Sequence, residues 1–321
     1  MIIASGSARA AFDGRPVQVG RGWAYGTFGE LLQGVLPEPG TDFLVTLPIR
    51  RGCSAYFELH PGASRVEVAP RSKTKSRAVA EAMLRRYGVW GGGRLTLDGD
   101  LTEGKGQASS SADLVATVRA VSEAIGVTLT PADIESLLRP IEPTDGVMYP
   151  GVVAFLHRQV RLQAMLGHLP ATTIVGVDEG GQVDTVDFNR IPKPFGRAER
   201  REYRSLLDEI TVAIGKGDLA TVGAVATRSA LLNQRLRPKS MLGDLVALSA
   251  ATGALGVVAA HSGTILGLLL ADDDPDYPDK LARVRYGCRA LAGRAWVDRS
   301  MPTMPQSTDL PTGSRSGPGA R

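Results

Sequence analysis

Cysteine is nearly missing from this 321-residue chain: there are two, Cys53 and Cys288, and their positions form no metal or redox motif. That excludes a disulfide-stapled scaffold and points to reduced core thiols in a cytoplasmic setting. Aromatic residues are also scarce, at 5%, and the lysines and arginines are scattered. The net charge of +4 therefore does not build the basic, aromatic-interleaved face of a nucleic-acid binder, and an anionic nucleotide is a sufficient partner for it. The N-terminus lacks a basic segment followed by an apolar one, so no secretory signal is expected. Long apolar runs are missing as well. Residues 254–271 approach the length of a short membrane span, but His261-Ser262-Gly263-Thr264 interrupts them. Two buried strands joined by a loop are expected there, and no membrane partner.

What is present is a hydrophobic content of 43% and a charged content of 22%, the balance of a soluble globular chain with one large or two moderate domains. The most informative stretch is Glu103-Gly104-Lys105-Gly106-Gln107-Ala108-Ser109-Ser110-Ser111-Ala112-Asp113. It runs straight into Leu114, Val115, Val118, Val121 and Ile125 at helical spacing. A glycine-rich turn opening a helix offers unpaired N–H groups and the positive end of the helix dipole, which favours an anion such as phosphate.

Several readings compete for that stretch. A Walker A loop would span 99–105, but Gly106 stands where its metal-binding Ser or Thr belongs. A dinucleotide fingerprint lacks its third glycine after Gly104-Lys105-Gly106. A plain capped helix remains open, with Ser110 and Asp113 as a variant capping box, although it leaves the glycines and extra serines unused.

Elsewhere the pattern alternates between strands and helices. Residues 43–49 and 53–60 read as paired strands, with Cys53, Ala55, Phe57 and Leu59 on one face and His60 on the other. Strands are also expected at 65–69, 94–98, 152–156, 160–166, 256–260, 264–270 and 294–297, and 172–178 with 182–188 reads as a hairpin. Lys73-Thr74-Lys75-Ser76-Arg77 precedes a helix carrying Val79, Met83 and Leu84; a solvated charge run and a nucleotide contact both fit it. Thr130 and Pro131 open another helix as N-cap and first residue. Helices dominate after 192–194: Tyr203, Leu206, Leu207, Ile210, Ala213 and Ile214 form one stripe ending at Gly215, and Asp218 starts the next. A cation among Arg228, Arg235 and Lys239 could grip a carboxylate or simply face solvent. A last helix is expected over 281–290. His157 and His168 have no partner motif and read as structural. From about Met301 the chain is Pro/Ser/Gly-rich, and disorder is expected.

Three ordered segments carry a resemblance. Gly-x-Gly-x-Ala-Ser-Ser-Ser-Ala at 104–112 resembles the phosphate-binding motif of the GHMP kinase superfamily. Gly26-Thr27-Phe28-Gly29-Glu30-Leu31-Leu32-Gln33-Gly34, with Tyr25 in place of the usual proline, resembles its first motif, and Ala260-His261-Ser262-Gly263-Thr264 its third. These two, with Glu142-Pro143-Thr144-Asp145, are similar to the L-threonine kinase branch, which is associated with cobalamin side-chain synthesis.

The resemblance implies an α+β fold. A β-rich N-terminal half (ribosomal protein S5 domain 2-like), over 1–190, would precede a ferredoxin-like C-terminal half, over 191–300, with the active site between them. It implies ATP and Mg²⁺ as cofactors and a small hydroxy amino acid as acceptor, with a homodimer left open. Gly104, Lys105, Gly106, Gln107, Ala108, Ser109, Ser110 and Ser111 would hold the phosphates. Ser110 and Glu142 would bind the metal, and Asp145 would take the hydroxyl proton. Gly26, Thr27, Glu30, His261, Ser262 and Gly263 would face the acceptor. L-threonine is the expected acceptor, with homoserine, serine or a non-standard hydroxy amino acid as alternatives, beside a non-catalytic nucleotide-binding role.

Overall fold

The computed structural model describes residues 18–181 and 191–301. The hairpin partner expected at 182–188 and the tail beyond Met301 lie outside them. At the centre are two long antiparallel strands, β1 (Gln18–Val35) and β2 (Asp42–His60). The sequence points to two paired strands at 43–49 and 53–60, and here the structure differs. Arg50-Arg51-Gly52 looks like a turn, but the chain runs through it as one strand whose partner is β1. The expected inward face of 53–59 is buried.

β4 (Gly92–Gly99) adds antiparallel to β2, β3 (Val66–Ala69) adds parallel to β4, and a hairpin of β5 (Val152–Leu156) and β6 (Arg161–Gly167) branches from β2. Helices α1 (Thr74–Arg86), α2 (Ser109–Ala124) and α3 (Pro131–Leu138) cover this part. They meet Phe57, Leu95 and Phe155 in one core: α1 and α3 bury one face each, whereas α2 is buried on nearly all sides. The α3 start is as expected, with a Thr130/Asp133 capping box and proline in the first turn.

The C-terminal part begins with β7 (Thr172–Asp178) and continues through α4 (Arg197–Lys216), α5 (Leu219–Asn233), α6 (Leu242–Thr252), β8 (Gly256–Ala259), β9 (Ile265–Ala271), α7 (Tyr277–Ala292) and β10 (Trp296–Arg299). The strand order β10-β7-β9-β8 with antiparallel neighbours is the split βαβ arrangement of a ferredoxin-like sheet. The stripe on α4 is buried as the periodicity predicts, but the helix runs past Gly215 and stops at Gly217, whose φ of 70° ends it. Among the described residues no helix is long and apolar enough to cross a membrane, and 254–271 forms β8, a loop and β9. One sheet path joins the two parts where Glu30 of β1 pairs with Ala259 of β8, so the sheet runs across the division expected at residue 190.

Candidate active site

The three sequence segments meet at that junction. On β1, the Thr27 N–H donates to the Gln107 carbonyl at 3.1 Å and the Gly29 N–H to the Gly106 carbonyl at 2.9 Å. From the other side the Thr264 N–H donates to the Lys105 carbonyl at 3.1 Å. Glycine is required for this approach: a Cβ on Gly263 would stand 2.0 Å from the Lys105 oxygen. At Gly106, where φ is 89°, a Cβ would stand 2.2 Å from Ala260 Cβ. The loop between is wound by left-handed residues at Gly104, Gly106 and Ala108, with φ of 72°, 89° and 54°. Such alternation turns successive N–H groups into an anion-binding concavity.

α2 then starts without a side-chain cap, its N-cap being Ala108. This overturns the capping-box reading. Ser110 Oγ donates instead to Glu142 Oε1, and Asp113 takes the Lys73 ammonium. The first-turn donors of α2 are left to the cavity that Ser109, Ser110 and Ser111 line. This cavity, about 350 Å³, lies between the 104–111 loop, α1 and the 142–145 turn.

Asp145 opens onto the same cavity. Its N–H donates to Ser111 Oγ at 3.0 Å, and the Ser111 hydroxyl lies 3.3 Å from Asp145 Oδ2. Burial, with the nearby carboxylates of Glu30 and Glu142, pushes the Asp145 carboxyl up to about 7, although the Ser111 hydroxyl pulls the other way. A carboxyl tuned to neutral pH is suited to accept a proton at that pH.

Glu30 sits beside a β1 register shift, a local irregularity of the kind that re-aims side chains next to sites. Its Oε2 accepts the His261 N–H at 2.9 Å and faces His261 Nδ1 at 3.0 Å. His261 Nε2 lies 2.8 Å from Ser229 Oγ, which accepts the Gln33 N–H at 3.1 Å. The network assigns the proton to Nδ1, and His261 acts as a bracket for Glu30.

Of the six residues expected to face an acceptor, Glu30 and Ser262 line the cavity; Gly26, Thr27 and Gly263 pack against the 104–108 loop behind it, and His261 holds Glu30. Lys105 does not line it either. Its ammonium pairs with Asp178 at 2.6 Å, because Asp178 at the end of β7 lies beside the third segment and also accepts from Thr264 Oγ1. Gln107 supplies structure, its Oε1 accepting the Thr102 N–H at 2.9 Å. Arg228 and Arg235 pair with Glu202 and Glu199, whereas Arg237 and Lys239 both donate to the Gly263 carbonyl.

The charge run at 73–77 is where the structure adds cations. Lys73 bridges Glu103 and Asp113, and Lys75 pairs with Glu142, so both ammonium groups stand at the cavity. Only their proximity to a glycine-rich turn in the fold separates them from ordinary surface lysines, which the local sequence does not reveal. Among the described residues no group of three or more His, Cys, Asp or Glu is placed to hold a metal. The oxygen pair of Ser110 and Glu142 fits a hard cation that keeps water and phosphate oxygens for its remaining positions, as Mg²⁺ does.

Residues 74–156 match the GHMP kinases N terminal domain. The chain is similar to an L-threonine kinase of Citrobacter freundii, 27% identical over 256 residues that cover 78% of this chain and 86% of that one. An L-threonine kinase of Salmonella typhimurium is 26% identical over 250 residues, 75% and 80% of the two chains. In fold it resembles homoserine kinase from Cytophaga hutchinsonii, with a TM-score of 0.67, 14% identity and coverage of 94% and 98%. Mevalonate diphosphate decarboxylase from Staphylococcus aureus superposes with a TM-score of 0.70 at 12% identity, over 90% and 97% of the chains. The match to the GHMP kinases N terminal domain therefore lies within a chain whose whole fold is shared with these solved structures.

Proposed function

We propose that this protein transfers the γ-phosphoryl group of ATP to the side-chain hydroxyl of L-threonine, giving O-phospho-L-threonine and ADP. The observation that carries this reading is one cavity in which an uncapped helix N-terminus, the Ser110 and Glu142 oxygens and a carboxyl tuned to neutral pH lie together. The relatives named L-threonine kinase support L-threonine as the acceptor.

Phosphoryl transfer asks a protein chiefly for position and charge. The donors of 104–111 and the first turn of α2 receive the triphosphate, and Lys73 and Lys75 add positive charge at the rim. Ser110 Oγ and Glu142 would hold Mg²⁺, which supplies neutralisation of phosphate charge when bound. Asp145, fixed by Ser111, accepts the proton of the acceptor hydroxyl as that oxygen attacks the γ-phosphorus. Glu30, held by His261, faces the acceptor from β1.

A coupled ADP-release screen tests the reading. L-threonine, L-serine and L-homoserine are offered with MgATP, and the expected result is turnover with L-threonine at a kcat/KM at least tenfold above the others. ADP release with none of the three overturns it.

A further inference from the structure

The cavity has a second polar surface that the phosphate chemistry does not use. Gln33 on β1, Thr144 in the acidic turn and His157 after β5 all line it and are all more than nine-tenths buried, at 9%, 2% and 3% exposure. Among the described residues Gln33 Oε1, Thr144 Oγ1 and both ring nitrogens of His157 have no hydrogen-bond partner. Buried polar atoms left in this state are costly, so a set of them around one cavity marks a place where something else completes the bonding.

The three are held in relation to the reacting centre. Thr144 precedes Asp145 directly, and its N–H donates to the His157 carbonyl at 3.2 Å. Gln33 is tied through Ser229 to the His261 bracket of Glu30. The chemistry of the set is acceptor-rich. Gln33 Oε1 can only accept, and a neutral imidazole offers one lone pair. Burial lowers the His157 pKa to about 4, against the pull of Asp42 and Glu30 and with the push of Lys193 and Arg158, so its ring is neutral at pH 7. The carboxyls of Glu30 and Asp145 border the same space. An arrangement of acceptors beside carboxyls suits a compact cation with several donors, and a primary ammonium has three.

We infer that Gln33, Thr144 and His157 form a specificity subsite for the α-ammonium group of the acceptor, holding its side-chain hydroxyl toward Asp145. This rests on the hydroxy-amino-acid kinase reading above. The subsite explains selection for an amino acid over a simple hydroxy acid, because a site built to hydrogen-bond a group leaves its own buried atoms unpaired when that group is missing.

The test compares L-threonine with 3-hydroxybutanoate, which keeps the hydroxyl and carboxylate and lacks the ammonium. Wild-type protein is expected to favour L-threonine by at least 100-fold in kcat/KM. Gln33→Met and His157→Phe should each reduce that ratio tenfold or more and leave the KM for ATP within twofold, while His157→Gln, which keeps polar atoms, retains more of it. A wild-type ratio below threefold, or variants that keep the full ratio, overturns the subsite while leaving the kinase reading intact. No turnover with any hydroxy amino acid overturns the kinase reading and the subsite together. Should the apolar variants fail to fold, the imidazole ¹⁵N signals of wild-type protein decide, since the chain has four histidines. L-threonine should move one neutral imidazole signal and 3-hydroxybutanoate none; no movement with L-threonine refutes the assignment.

Discussion

Replacing Asp145 by asparagine separates catalysis from stability in a way that follows directly from its surroundings. The carboxyl is raised from 3.8 to about 7 by burial and by Glu30 and Glu142. A folded-state pKa above the unfolded one means that the native state holds this proton more tightly. The stability it contributes is complete below about pH 4 and is lost as pH rises toward and through 7. Three units at about 1.4 kcal/mol each give an upper value of about 4 kcal/mol of native-state cost at pH 8, and about 2 kcal/mol at pH 5. Asp145 is only half-buried and opens onto the cavity, so a measured gain of about 2 kcal/mol for Asp145→Asn at pH 8 is expected. The amide keeps the backbone bond to Ser111 and cannot take a proton. Turnover should therefore fall about 10²–10⁴-fold, the usual worth of a general base, while ATP still binds. Denaturant melts at pH 5 and pH 8 and a coupled ADP-release assay make the comparison. Wild-type kcat/KM for the acceptor should climb with pH and level off above about 7. A variant whose turnover stays within threefold of wild type, or whose stability gain is the same at both pH values, refutes the base assignment.

Ser110→Ala should raise the KM for MgATP about tenfold with a stability change below about 1 kcal/mol, since the hydroxyl caps nothing and makes one hydrogen bond; magnesium titrations with parallel melts check it, and an effect confined to melting would mark Ser110 as structural. Gly263→Ala places a Cβ 2.0 Å from the Lys105 oxygen and must push the 104–108 loop away. The loss should be about 1–3 kcal/mol, read as a KM for ATP raised roughly tenfold or more, and unchanged KM and melting would deny the contact.

Much of this was legible in the sequence, and the limits have physical causes. The stripe on α4 and the capping box of α3 were visible because a helix buries one face and satisfies its own first donors locally. β1 was hidden. It is rich in glycine and buried on both faces through its second half, so neither alternation nor strand propensity marks it, and its glycines look like turn residues. Arg50-Arg51-Gly52 gave a false break for the same reason: Gly52 is needed because β1 passes close by, which is a tertiary fact. At the site, Ser110 and Asp113 have the spacing of a capping box, but the helix begins earlier, with Ala108 as its N-cap, so Ser110 lies in the first turn and gives its hydroxyl to the distant Glu142. Lys73 and Lys75 resemble a solvated run until Asp113 and Glu142 are seen beside them, and His157 carries no local signal at all. Lys105 shows the opposite error: it sits in the right motif, but Asp178 from β7 holds its charge.

The proposed transfer requires the triphosphate to rest between the 104–111 turn and Asp145. Hydrogen–deuterium exchange with a non-hydrolysable ATP analogue and Mg²⁺ tests that placement most directly. Joint protection of 104–112, 141–146 and 260–265 is the predicted result, deepened at 142–145 when L-threonine is added. Protection confined to any other surface, with 104–112 exchanging as in the free protein, would contradict it.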